Sequence, residues 1–369
     1  MPYRIDHKKI ADALQFPTEE IVDVVIDTDA YNEVDDQFAI AWALRSPERL
    51  HVEAVYAAPF CSMAIMKMMP PPPPGQERPP VTAESLGPAA HFAATPAEGM
   101  EKSYQEILHL FELLEISPEG KVFRGSTTYI EDNGRQPVES EAARDLVRRA
   151  MARPEGKRLY VLAIGAITNV ASALMMEPAI ADKITVVWLG GQPPYFKNGV
   201  EFNLMQDMPA SQHLFNCGVP LVLIPCMGVA SHLTLTLPEL DTLLIGKSKV
   251  GTYLGQIVKE AINPSPEAIA MSDFFGTVGY DCGMNDIPME VHMKFRSRAS
   301  AWSRIVWDIS TVGYVMSPNW TTSSLQPAPV LNDDMTWGHD PSRHPIRLCC
   351  HVKRDSMFGD LFMKLENGD

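Results

Sequence analysis

Apolar and polar positions along this chain follow two alternating patterns. Five short runs, 21–26, 51–57, 159–163, 184–189 and 221–224, are rich in β-branched residues and almost continuously apolar. Such runs read as strands, and their unbroken apolar character is that of strands buried on both faces. Between them lie stretches with helical spacing at 36–44, 100–114, 140–152, 169–175, 208–217 and 250–262. This alternation predicts an α/β fold: a mostly parallel open sheet with helices on both faces. Right-handed crossovers then bring the strand C-termini, and any site, to one edge. No internal repeat is visible, so the pattern reads as one domain over residues 1–369.

One stretch interrupts the alternation. From Cys61 to about Thr95 the chain is Met-rich, then runs through Pro70 to Pro74, then becomes a mixture of Pro, Ala, Gly and Glu. Five consecutive prolines form polyproline II and join neither a helix nor a central strand. The segment 61–95 is expected to be a disordered or loosely docked insertion.

Charge narrows the choice of partners. The formal net charge is −15, which disfavours nucleic-acid backbones and anionic membranes. The six cysteines include no C-x-x-C pair and no Cys/His spacing typical of zinc. Several sit in apolar surroundings and are expected to be buried free thiols, as in a reducing compartment. The first fifteen residues carry Arg4, Asp6, Lys8 and Lys9 with no apolar core behind them, unlike a signal peptide. The longest apolar stretch, 219–230, contains prolines and is too short to span a bilayer. A cytoplasmic protein acting on a small molecule is expected. Its oligomeric state is left open, a homo-oligomer included.

The densest chemistry lies in Asp27-Thr28-Asp29-Ala30-Tyr31-Asn32-Glu33-Val34-Asp35-Asp36, directly after the first apolar run. Four Asp and one Glu this close repel one another and raise each other's pKa unless a positive charge neutralises them. Capping of the following helix accounts for one Asp, not for this many. A hard divalent cation, bound through carboxylate and carbonyl oxygens, is the simplest neutraliser.

Three further segments carry candidate residues. Gly165-Ala166-Ile167-Thr168-Asn169 follows an apolar strand; Gly165 lets the backbone leave the ladder, and Asn169 reads as a helix cap. Val187-Trp188-Leu189-Gly190-Gly191 is followed by Asn198 and by Glu201-Phe202-Asn203. Read as extended chain, Glu201 and Asn203 face the same side, a carboxylate and an amide suited to hydroxyl groups. Asp308 sits in the apolar run 305–315, where a lone carboxylate is costly unless paired or metal-bound.

Together these segments resemble the nucleoside hydrolase family, the inosine-uridine-preferring type and its relatives. The shared hallmarks are the D-x-D…D-D cluster (Asp27, Asp29, Asp35, Asp36), the G-x-x-T-N turn, the E-F-N triplet and the late Asp308, in the family's order. The resemblance implies a calcium ion held by Asp29, Asp36, Asp308 and a backbone carbonyl near Ile164. It implies that Asp29 is the base toward a water held at that ion. It assigns Asp35 and Asp308 to the ribose 2′- and 3′-hydroxyls, and Glu201, Asn203 and Asn198 to the 5′ end. Leu189 takes the place of an apolar residue under the sugar.

The chain departs from the family pattern at three points. Where well-known members carry a His before the late Asp, linked to leaving-group protonation, it has Trp307, whose indole can stack or donate N–H but has no titratable proton near neutral pH. A literal His339-Asp340-Pro341 follows later. It is set aside because no apolar helix succeeds it and little chain remains to pack behind it. The acidic turn is longer by Asn32 and Glu33, as in a divergent branch. No Asn follows the second strand, where Pro59-Phe60-Cys61-Ser62 stands. Tyr280, Asp281 and His292 are candidates for a flap over the base. Two other functions are open: a ribose- or nucleoside-binding homologue with weak or no activity, and, more remotely, a haloacid-dehalogenase-type phosphatase.

Overall fold

The structure is a computed structural model that describes residues 6–67, 75, 77, 82, 91–262 and 303–366. In chain order its strands are β1 (Val22–Thr28), β2 (Leu50–Ala57), β3 (Val122–Arg124), β4 (Leu159–Ala163), β5 (Ile184–Leu189), β6 (Leu221–Ile224), β7 (Thr234–Thr236), β8 (Ser303–Ile305), β9 (Thr321–Pro327), β10 (Val330–Leu331), β11 (Trp337–Gly338) and β12 (Pro345–Val352). The longer helices are α1 (His7–Ala13), α2 (Asp36–Leu44), α3 (Pro96–Leu113), α4 (Glu141–Met151), α5 (Thr168–Met176), α6 (Phe202–Gln206), α7 (Met208–Asn216), α8 (Lys249–Ile262), α9 (Ile309–Met316) and α10 (Arg354–Glu366).

Eight strands form one sheet in the order β3-β2-β1-β4-β5-β6-β12-β9. Neighbours are parallel except the last pair, where β9 runs antiparallel to β12. The order reverses between β1 and β4. Chain leaving β1 and chain leaving β4 therefore diverge and open a crevice above the strand ends, where open α/β sheets bind their ligands. Register places Asp27 beside Ala163 across that junction.

Side chains alternate along β1 as the strand period requires. Val24 and Ile26 enter one core with Phe38, Trp42, Phe111 and Phe358, while Val25 enters the other with Leu146, Val170, Leu214 and Phe215. The sheet is thus covered on both faces, as the unbroken apolar runs predict. The predicted strands and helices are present with ends shifted by a few residues. α3, for example, starts at Pro96 behind an N-cap Thr95 whose hydroxyl accepts the Glu98 N–H.

Three features differ from the sequence reading. The C-terminal strands β9 to β12 and helix α10 were not expected. They supply packing after His339-Asp340-Pro341, so little chain remaining is no ground for setting that triplet aside. The triplet is instead a surface turn: Asp340 is exposed and its Oδ1 accepts the Ser342 N–H and Oγ–H. Helix α1 also has no predicted counterpart: Ile10 and its C-cap Leu14 enter the core, and the Asp6 carboxylate caps its start by accepting N–H groups from Lys8 and Lys9.

The two flanks of the Pro-rich insertion meet. Ser62 N–H donates to Ala93 O, and Ala93 N–H donates to Ser62 Oγ, both at 2.9 Å. Pro70 to Pro74, whose docking was in question, lie outside the described residues. Among the described residues no helix is long and apolar enough to cross a membrane.

Candidate functional site

β1 delivers its last residues into the crevice. Asn32 N–H donates to Asp29 O at 2.7 Å, closing a tight turn that leads into α2. Asp35 stands at the N-cap of α2 and Asp36 is its first residue, but Asp35 makes no side-chain cap. Its Oδ2 instead accepts the Trp307 backbone N–H at 2.8 Å. Asp36 Oδ1 accepts the Thr28 hydroxyl at 2.5 Å. Asp308 occupies the N-cap of α9, also without capping it.

The outcome is a triad of carboxylates from both ends of the chain. Oxygens of Asp35, Asp36 and Asp308 lie within 4.8 Å of one another, all three residues buried. Asp29 stands outside that triad but acts on it: its charge is felt by Asp308, and its own strongest charge neighbour is Asp36. It is 1% exposed, and its Oδ2 is buried with no hydrogen-bond partner. Burial, then mutual repulsion, raises Asp29, Asp36 and Asp308 well above the ordinary carboxylate range. Burial also holds Asp35 at about 7, against partial relief from Arg304. Converging oxygens, an orphaned carboxylate atom and negative charge only partly relieved by Arg304 fit a hard cation.

The turn after β4 backs this arrangement. Ile164 N–H donates to Asp27 O at 2.8 Å, and Ile164 itself is buried. A Cβ on Gly165 would lie 3.0 Å from Asp29 N and 3.2 Å from Asp29 Cγ, so any side chain there requires the turn or Asp29 to give by a few tenths of an ångström. Asn169 does not cap α5. The helix begins at Thr168, which turns the amide inward, where Nδ2 donates to Asp27 Oδ1 at 2.8 Å and Oδ1 accepts from Ser126. Asp27 is held at about 7 by burial despite that bond, and its Oδ2 has no partner.

The segment after β5 differs from the extended reading. Glu201 is the N-cap of the short helix α6, and Asn203 lies within it. The Glu201 carboxylate accepts N–H groups from Gly191, Asn203 and Leu204 at 2.8, 2.9 and 3.1 Å, which fixes the loop around Gly190 and Gly191. Asn203 Nδ2 donates to Leu189 O at 3.1 Å, and Leu189 is buried. Asn198 is half-buried, with Oδ1 accepting the Val200 N–H at 3.2 Å. Trp307 is half-buried against the core beside Asp308.

Sequence reasoning missed Arg304 and Gln37. Arg304 Nη2 donates to Glu33 Oε2 at 2.6 Å, bringing a guanidinium to the lengthened turn from just ahead of Asp308. Gln37 Nε2 donates to Ala30 O at 2.6 Å and stiffens the same turn. The signal for both was the strongly acidic turn, which needs donors. Two further histidines stand apart. His213 lies on α7, and exposed His232 faces the His351 ring at 5.9 Å. Tyr280, Asp281 and His292 lie outside the described residues. A second acidic group, Asp23, His51 and Glu53, is already compensated: Arg153 reaches Asp23 at 2.7 Å and Arg149 reaches Glu53 at 3.1 Å.

Residues 24–339 match the family model of the inosine-uridine preferring nucleoside hydrolase. Probable uridine nucleosidase 2 of Arabidopsis thaliana is 25% identical over 243 residues, 64% of this chain and 68% of that protein. Among solved structures, a purine-preferring ribonucleoside hydrolase from Gardnerella vaginalis superposes with a TM-score of 0.60 at 18% identity, covering 93% of this chain and 98% of that one. A plant nucleoside hydrolase gives 0.59 at 19% identity, covering 94% and 99%. These two likenesses are of fold. The family match spans most of the chain, includes the acidic turn and Asp308, and leaves no place for the phosphatase plan. The chain belongs to the inosine-uridine preferring nucleoside hydrolase family, N-glycosyl hydrolases acting on ribonucleosides.

Proposed function

We propose that this chain hydrolyses the N-glycosidic bond of a ribonucleoside in the β1/β4 crevice, with calcium as cofactor and Asp29 as general base. The observation that carries the reading is the convergence of Asp35, Asp36 and Asp308 within 4.8 Å, beside an Asp29 oxygen that has no partner. Asp29, Asp36 and Asp308, with the Ile164 carbonyl, would hold the ion. When bound, such an ion makes a nearby water more acidic and draws the carboxylates into their charged form.

The chain's own residues do the rest. Asp29, buried and with Oδ2 unpartnered, accepts the proton of the attacking water. The water oxygen bonds to C1′ while the bond from C1′ to the base nitrogen breaks. As positive charge develops on the sugar, the fixed carboxylates stabilise it in a dry site, where such interactions are strong. Asp35 and Asp308 accept from the ribose hydroxyls, while Asn203 and Asn198 serve the 5′ end. Leu189 supplies an apolar floor and excludes water. Free thiols at buried Cys61 and Cys349 suit a reducing, cytoplasmic setting.

One observation favours the alternative of a weakly active or inactive ribose-binding homologue. The Glu201 carboxylate already serves three backbone N–H groups, which reduces what it offers to a ligand. Release of free ribose from a panel of ribonucleosides, with and without chelator, separates the readings. Turnover that stops with chelator and returns with calcium supports hydrolysis. Nucleoside binding without ribose release supports the homologue. Turnover untouched by chelator removes the metal from the mechanism.

A further inference from the structure

We infer that Tyr253, Glu106 and Gln37 form a positioning relay, in which α8 and α3 orient the Gln37 amide and that amide holds the backbone beside Asp29. This rests on the hydrolase reading of the site and goes further, to residues that act on the reaction through the acidic turn.

The turn is held carbonyl by carbonyl. Asp29 O accepts from within the turn, through the Asn32 N–H at 2.7 Å. Ala30 O accepts from Gln37 Nε2 at 2.6 Å, and Glu33 O accepts from the same nitrogen at 3.3 Å. Tyr31 O, at the tip, accepts from His91 Nδ1 at 2.6 Å. Gln37 thus reaches the peptide next to Asp29, and its restraint falls on the backbone torsions that aim that carboxylate. Asp35 is secured separately, by the Trp307 N–H.

Gln37 is itself held from outside. Its Nε2 also donates to Glu106 Oε1 on α3 at 3.4 Å, and that oxygen accepts the Tyr253 hydroxyl of α8 at 2.5 Å. Burial and the adjacent Glu106 carboxylate keep the Tyr253 phenol well above its ordinary range, so it remains a donor. His109, further along α3, packs edge-on against the Tyr253 ring with centroids 4.9 Å apart. Three acceptor oxygens therefore converge on one amide nitrogen. Reversing the amide would set its own oxygen against all three, so its orientation is fixed.

The arrangement has a cost that packing alone does not explain. Gln37 is fully buried, and its Oε1 has no hydrogen-bond partner. An orphaned buried acceptor is unfavourable, and an apolar side chain of similar size would avoid it. What the amide contributes in return is a donor on Ala30 O. Glu106 is likewise a carboxylate buried on a helix, and the two donors it meets link α8 to the turn. Misplacing a base by a fraction of an ångström slows a reaction without unfolding the protein, so the relay bears on kcat.

Ribose release from a panel of ribonucleosides at saturating calcium, and amide hydrogen exchange in chelator, test the relay. Glu106→Leu removes the acceptor and should lower kcat about tenfold or more, while KM moves by less than about threefold. Tyr253→Phe keeps the ring and its packing and should act in the same direction; should Glu106→Leu fail to fold, Tyr253→Phe decides by the same readouts. Glu106→Gln keeps an acceptor oxygen and should restore most of kcat. In a Gln37→Met background, Glu106→Leu or Tyr253→Phe should cost nothing further, because the relay acts through that amide. The Asn32 N–H should exchange about tenfold faster in the relay variants, with the amides of β1 unchanged. Full kcat in the relay variants, additive losses in the Gln37→Met background, or unchanged exchange at Asn32 overturns the inference and leaves the hydrolase reading standing. No ribose release from the unaltered protein overturns both.

Discussion

The backbone N–H of Trp307 donates to Asp35 Oδ2 at 2.8 Å, joining residues 272 positions apart. This bond turns Asp35 away from the helix end it would otherwise cap and into the carboxylate triad. Asp35→Asn keeps an acceptor for that N–H and removes the charge; Asp35→Ala removes both. In chelator, urea unfolding should find the Asn variant more stable than the Ala variant by about 1 kcal/mol, the net worth of one hydrogen bond. Equal stabilities would mean that the bond does not hold the segment.

Asp29→Asn should lower kcat by about 100-fold to 10,000-fold, the usual contribution of a positioned base. The amide has nearly the same shape and no charge to bury, so the melting temperature in chelator should not fall. Ribose release and thermal unfolding on the same sample check both halves. A variant with full turnover would exclude Asp29 as the base.

Gly165→Ala tests the contact from the other side. The added Cβ meets Asp29 N at 3.0 Å and Ala58 Cβ at 3.2 Å, so the turn or Asp29 must shift. A displacement of even a fraction of an ångström at the base should cost about tenfold to 100-fold in kcat. KM should change less, because the ribose contacts assigned to Asp35 and Asp308 are untouched.

Glu33 and Arg304 pair at 2.6 Å with side chains 44% and 23% exposed. Water screens such a pair, so a double-mutant cycle with Glu33→Gln and Arg304→Gln should give a coupling of about 0.5–1 kcal/mol that shrinks with salt. A coupling that persists in high salt would show a pair shielded from solvent.

Stability should depend on pH in a particular direction. Burial raises Asp27 and Asp35 from the ordinary 3.8 to about 7, so in the folded state each keeps its proton over that interval while the unfolded chain has lost it. Their stabilising contribution is complete below about pH 3.8 and disappears as pH rises through about 7. In chelator the melting temperature should therefore fall across that window. Calcium should reverse most of the fall by displacing protons from the cluster. A melting temperature that rises toward neutral pH in chelator would contradict the buried-carboxylate account.

Much of this site is legible in the sequence for a simple reason. Like charges crowded at a strand end, as in 27–36, have few physical excuses, and a lone Asp308 in an apolar run has fewer still. Strand runs buried on both faces announce the parallel sheet equally clearly. What stays hidden depends on direction rather than composition. Asn169 suits a cap by type, and only the start of α5 at Thr168 turns it onto Asp27. Glu201 and Asn203 look extended until Glu201 caps α6. The pairing of β12 with both β6 and the antiparallel β9 joins strands whose partners are far away in sequence, and β9 itself is polar and largely exposed. No local period encodes such a partner.

The division of the carboxylate cluster between the two halves of the chain has a consequence for biosynthesis. A ribosome translates Asp35 and Asp36 early and Asp308 late, and β12 later still, although β12 must lie beside β6. Until residue 304 is made, the nascent protein carries the anionic turn without its guanidinium partner Arg304. Completion of the carboxylate cluster thus waits on the later-made Asp308, and on the proposed calcium reading, cation uptake should mark chains that have brought the two halves together.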